Sequence, residues 1–289
     1  MEIVLALGSA IAYGLSDFTG GVLTRRAHVF TVIFLSQLVS CMILLVALPF
    51  WGGPFSWPAV RWGAAAGVAG MAGASLLYRG LAIGRMGVVA PITAVLAAAI
   101  PVTFGLVTGD RPGAIALIGV VVGLGAVVLV SSAPESGSSN PGIKSERLAL
   151  VRPGGHGVVE AFGAGAGFGL FFILLDRAPE ESGLWPLAGT RISLVASIAL
   201  LAAIAGASMR PVEGMGRSLF WLGCINLAAD LLYLLATRAG LLSLVAVITS
   251  LYPATTVALA RFFLDERMVK QQLLGVVCAA LSVTLIALR

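Results

Sequence analysis

The sequence predicts an all-α membrane protein of ten transmembrane helices, built as two inverted five-helix repeats, and three observations carry that reading. Hydrophobic residues make up 59% of the 289 and charged residues only 11%, with a mean hydropathy of +1.03. So little polar surface cannot cover a water-soluble globule of this size. The apolar stretches are also long enough to cross a bilayer, because roughly 20 residues rising about 1.5 Å each span a ~30 Å hydrocarbon layer. Finally, the chain repeats itself: Tyr78 matches Tyr233, Pro101 matches Pro253, Asp110 matches Glu266 and Gly119 matches Gly275, at shifts of 152 to 156 residues.

The first repeat, residues 1–132, reads as spans Ile3 to Leu23, Phe30 to Phe50, Trp62 to Ile83, Gly87 to Val107 and Pro112 to Ser131. The second, residues 156–289, reads as Gly157 to Leu175, Leu184 to Gly206, Leu219 to Thr237, Leu242 to Leu264 and Gln272 to Leu288. An odd number of spans per repeat makes the two copies enter the membrane in opposite senses. Such inverted repeats are the arrangement of many secondary transporters, whose substrate sits between the halves. Residues 133–155, rich in Ser, Gly and Pro, read as a solvated linker with too little apolar surface for a domain of its own.

The net charge of +5 does not point to nucleic acid, because the basic residues are scattered among span ends. Of the 18 Lys and Arg, 12 fall on the face holding loops 1–2, 3–4, 5–6, 7–8 and 9–10, and 5 on the other. The positive-inside rule puts that richer face in the cytoplasm and the termini outside. Cys41, Cys224 and Cys278 all lie within spans and suggest neither a disulfide nor a metal site. No basic segment precedes the first apolar run, so the first span reads as retained rather than as a cleaved leader.

Span 1 carries Ser9, Tyr13, Ser16 and Asp17 along one side. A carboxylate in hydrocarbon is costly, so Asp17 should face protein or water. It reads either as a contact for a substrate amine or a proton, or as a structural acid pairing with Arg191 or wetted at the interface. On span 3, Met71, Ser75, Tyr78 and Ala82 share a face, and their copies on span 8 are Asn226, Asp230, Tyr233 and Thr237. The face has become polar in one copy only, which marks it as cavity lining, the alternative being interhelical hydrogen bonds that hold the bundle together. Arg191, deep in span 7, either holds a substrate carboxylate or braces Asp17 or a loop acid; Gln37 is its counterpart in the first repeat.

Spans 4 and 9 contain Pro91 and Pro101, and Pro253, respectively, and these are the candidate hinges. The stretch Ala161 to Gly169, AFGAGAGFG, lacks the preceding strand and the lysine of a nucleotide-binding loop and reads as helix packing. Gly163 with Gly167, and Gly119 with Gly123, permit close helix approach. Spans 5 and 10 carry little besides Val, Leu, Ala and Gly and read as scaffold or as a dimer face.

The repeat with its proline, the acidic residue opening the last loop and a glycine nine residues later resembles the EamA branch of the drug/metabolite transporter superfamily, over nearly the whole chain. Within that branch the chain is most similar to the aromatic amino acid exporters of the YddG type. The resemblance implies a basket of two five-helix repeats, spans 5 and 10 at its periphery, and export of amino acids or related small metabolites across the bacterial inner membrane. Glu266 fits the acidic position of the family's last loop. Asp110 departs from the usual Glu in the first repeat, as Gln37 does from a common Arg.

Together these readings give alternating access around a cavity lined by Tyr13, Asp17, Ser75, Tyr78, Phe168, Phe172, Asn226, Asp230, Tyr233 and Tyr252. Its aromatic groups would stack on an apolar or aromatic substrate, and Asp230 or Asp17 would meet its amine. The partners are a small-molecule substrate and the lipid bilayer, with coupling to protons open, a monomer sufficing, and no cofactor expected. Export of nucleosides or lipophilic cations is the alternative. An intramembrane enzyme is a remote one, because His28 and His156 lie far apart in sequence and no catalytic constellation appears.

Overall fold

In a computed structural model of the chain, residues 1–24, 26–83, 86–131, 157–206, 214–263 and 269–288 are described. The linker at 133–155 and Glu266 fall outside them. Regular structure among the described residues is helical: α1 (Glu2–Thr24), α2 (Val29–Trp51), α3 (Trp57–Ile83), α4 (Met86–Thr108), α5 (Ala114–Ser131), α6 (Val158–Asp176), α7 (Trp185–Ile204), α8 (Gly216–Ala239), α9 (Leu242–Thr249), α10 (Tyr252–Phe263) and α11 (Lys270–Ala287), with one 3-10 turn at Glu180–Ser182. Among the described residues eight stretches, α9 and α10 counted together, are long and apolar enough to cross a membrane. With α3 and α4 they make the ten expected spans. The span ends agree within about three residues, except that α3 starts at Trp57; Pro58 extends it, because a proline in the first helical turn forfeits no hydrogen bond.

The inversion is legible in which helix touches which. Helix α1 packs on α8 as its copy α6 packs on α3, α2 packs on α8 as α7 packs on α3, and α5 packs on its own copy α11. Individual contacts repeat too. A Cβ on Gly67 would meet Thr190 and Ser193, and one on its copy Gly223 would meet Ser36 and Val39. Each repeat therefore closes its core against the other, and small residues set the approach: the nearest heavy atom to a Cβ on Gly167 would be the Gly73 Cα at 2.7 Å.

The glycine stripe of spans 5 and 10 is spent inside the molecule, as a scaffold role requires. The Ser282 hydroxyl donates to the Gly119 carbonyl at 2.7 Å, and a Cβ on Gly123 would run into Val247 and Ser282. One expectation is corrected: span 9 is two helices rather than one. Pro253 has no N–H for the Thr249 carbonyl, and the chain closes α9 with Ser250 N–H to Ala246 at 2.9 Å and Leu251 N–H to Ile248 at 3.2 Å before restarting at Tyr252.

Pro101, by contrast, lies within the unbroken α4. Contacts explain the difference. Thr255 sits against Gly14 as Ile100 sits against Gly169, so the structural counterpart of Pro253 is Ala98 and that of Pro101 is Thr256. The two prolines are three residues out of step, and only one copy is broken.

Candidate functional site

A cavity of about 530 Å³ lies between the repeats, with walls drawn from α1, α2, α3, α4, α6, α7, α8 and α10. Its lining runs from Thr24 and Val29, beside the α1–α2 turn, inward to Phe172, Tyr13, Asp230 and Arg191. The turn end is the face of loops 1–2, 3–4, 7–8 and 9–10.

Aromatic rings form the inner end. Tyr13 meets Phe172 edge-on with centroids 6.2 Å apart and lies 6.3 Å from Tyr252. Phe172 rests in turn on Tyr233 at 4.7 Å. Tyr233 itself is fully buried, absent from the cavity wall, with its hydroxyl donating to the Phe172 carbonyl at 3.2 Å. It supports the floor, where sequence had put it in the wall. Ser75 is also off the wall, its hydroxyl donating back to the Met71 carbonyl at 2.8 Å. Phe168 and Asn226 do line the cavity. The side chains of Tyr78 and Pro91 lie outside the described set, although both positions are helical.

Charge at the inner end is compensated within the protein. An Arg191 amine donates to Asp230 at 2.8 Å and to the Asn226 carbonyl at 2.9 Å, and the other amine donates to Gln37 Oε1 at 2.5 Å. Tyr13 donates from its hydroxyl to the other Asp230 oxygen. Ser16 donates to the side-chain oxygen of Asn226 at 2.9 Å, and the Asn226 amide donates to the Leu222 carbonyl at 3.1 Å. Arg191 is 1% exposed and Asp230 4%; removing two such charges from water is tolerable only because each finds the other and further donors or acceptors. This overturns the pairing of Arg191 with Asp17 and removes Asp230 as a free acid for a substrate amine.

Asp17 is different. It is exposed, lines the cavity, and has no hydrogen-bond or ion-pair partner among the described residues. Sequence reading found both acids and Arg191 but missed who pairs with whom. It also missed Ser16, Phe171 and Gln37 as wall residues; a match between repeat copies, such as Gln37 with Arg191, does not by itself say that the two meet.

The far face is latched by contacts between repeats. Asp110, in the α4–α5 turn, accepts from the Ser243 backbone N–H at 2.8 Å and so caps α9. Arg177, just past α6, donates to the Thr108 hydroxyl at 3.0 Å and stacks over Phe104 at 4.7 Å.

No curated protein matches the chain by sequence. Among solved structures, one crystal structure superposes on 99% of this chain and 95% of its own with a TM-score of 0.72 at 16% identity, a likeness of fold alone. The EamA-like transporter family matches residues 1–132 and 155–288, one match to each half. The duplicated helical basket is thus that of a membrane transporter, and the chain belongs to the EamA-like transporter family.

Proposed function

We propose that this transporter exports small solutes bearing an amino group on a bulky apolar or aromatic body, of the kind found in aromatic amino acids and related metabolites, across the bacterial inner membrane by alternating access. The observation that carries the reading is the cavity: one unpartnered carboxylate, Asp17, faces a wall of Phe168, Phe171, Phe172, Tyr13 and Tyr252. Its volume of about 530 Å³ lies within the ~300–1,000 Å³ usual for small-molecule sites. Aromatic walls favour flat or bulky apolar bodies, and an acid meets an ammonium group.

The open end supports the direction proposed. The cavity reaches the face that carries 12 of the 18 Lys and Arg, the cytoplasmic one by the positive-inside rule, while the opposite face is latched at Asp110–Ser243 and Arg177–Thr108. A carrier open to the cytoplasm and latched outside is poised to load for export. Release then requires the latch to part and the inner end to close, with the break between α9 and α10 as the flexing point. Asp17 is also the group through which proton coupling would run.

Counterflow in proteoliposomes with aromatic amino acids, their amine derivatives, small polar amino acids and nucleosides tests the substrate class. A preference for small polar solutes or nucleosides over aromatic amines would refute it. A reporter fused after Arg289 tests the orientation and should read as periplasmic.

A further inference from the structure

The ionisable Asp, Glu, Lys, Arg and His groups in the described wall of the cavity are three: Asp17, Arg191 and Asp230. Two of them cancel. The guanidinium of Arg191 holds Asp230 at 2.8 Å and Gln37 at 2.5 Å. Its remaining Nε is buried and has no partner, so it is sealed from an entering solute as well. The described wall therefore offers a ligand a net charge of one negative unit, at Asp17, and no accessible cation.

We infer, resting on the transport reading above, that Asp17 sets specificity by charge: the site takes aromatic or bulky apolar amines that enter as monocations and discriminates against the same bodies carrying a free carboxylate. An ammonium beside Asp17 regains in Coulomb attraction what it loses in hydration. A carboxylate on the same solute has no positive partner among the described residues of the wall, lies near a like charge, and is left desolvated. Amides, esters and decarboxylated forms escape that cost because their second group is neutral. The cargo is thus the product of a reaction that removes or masks a carboxyl group, or an amine made without one.

Four compounds with one phenyl body separate the possibilities: phenethylamine and phenylalaninamide as cations, phenylalanine as the zwitterion and 3-phenylpropanol as the neutral case. Binding to the purified full chain is read by thermal shift and calorimetry, and movement by counterflow in proteoliposomes. The two cations should bind about tenfold or more tighter than phenylalanine and than phenylpropanol, as loss of one partly screened charge contact implies. In Asp17→Asn the gap should close, while Asp17→Glu should keep it and so control for folding. Phenylalanine binding as tightly as phenethylamine in the wild type overturns the inference, as does a gap that survives in Asp17→Asn. Cations that bind through Asp17 but do not move leave the charge selection standing and sink the transport reading. Failure of all four to bind sinks both.

Discussion

Arg191 donates to Gln37 at 2.5 Å across 154 residues of sequence, the offset of the internal repeat, so the two residues are copies of one position that touch. Only residues beside the pseudo-two-fold axis can do that. The axis therefore passes between a charged residue and a neutral one. The acid that balances Arg191 is also one-sided: in the register that pairs Gly67 with Gly223, Asp230 has the neutral Ala74 as its copy. Divergence after duplication has placed a complete ion pair in the second repeat alone.

Because the pair is sealed from solvent, removing one member should cost far more than removing both. Arg191→Gln or Asp230→Asn alone should destabilise the purified protein by about 3–5 kcal/mol, the usual penalty for an uncompensated buried charge. The double variant should recover much of that loss. Thermal unfolding in detergent with matched lipid checks the order; equal losses in single and double variants would show that the pair is not coupled.

A methyl group placed on Gly189 would lie 2.1 Å from the Val60 carbonyl oxygen, where backbone meets backbone between α3 and α7. Gly189→Ala should therefore lower stability by about 1–3 kcal/mol, the range for overpacking. Gly125→Ala, with nothing within 4 Å, should leave stability unchanged or raise it slightly. Unfolding midpoints and elution profiles of the two variants decide.

Asp110→Ala removes the cap on α9 and should weaken the latch on the face opposite the cavity opening by about 0.5–2 kcal/mol. With the native cysteines replaced, the Phe104→Cys protein should then label faster with a membrane-impermeant thiol reagent applied to that face. Unchanged labelling would mean that the contact plays no part in holding that face closed.

The out-of-step prolines predict unequal hinges. Pro253→Ala restores an N–H toward the Thr249 carbonyl and should let span 9 run as one helix, slowing counterflow severalfold while the protein still folds and binds. Pro101→Ala, in a helix that is already continuous, should change the rate little. Equal effects would remove the break from the transport cycle.

Most of the fold was legible because bilayer thickness and the two helical copies leave few alternatives: span number, inversion and the polar face of α8 all follow from periodicity and repetition. The proline register was not legible, since aligning like residues with like put Pro101 opposite Pro253, whereas helix packing puts Thr256 there. Tyr233 was misplaced for a related reason. A tyrosine on a polar face can point into a chamber or under its floor, and only the position of Phe172 decides between them. Nor could sequence separate Asp17 from Asp230, because both are acids in spans and the difference lies in which one Arg191 reaches.

The seam between α5 and α11 has its own implication. A Cβ on Gly119 would touch Leu285 and Ile286, and one on Gly275 would touch Leu129 and Val130. Those two neighbour pairs are themselves copies, 156 positions apart. A surface that complements itself in this way is what an antiparallel homodimer of half-length chains would have needed before any fusion joined them. Severed between residues 133 and 155 and co-expressed as two fragments, the protein should reassemble in the membrane without a covalent tether, and co-purification of the fragments would reveal it.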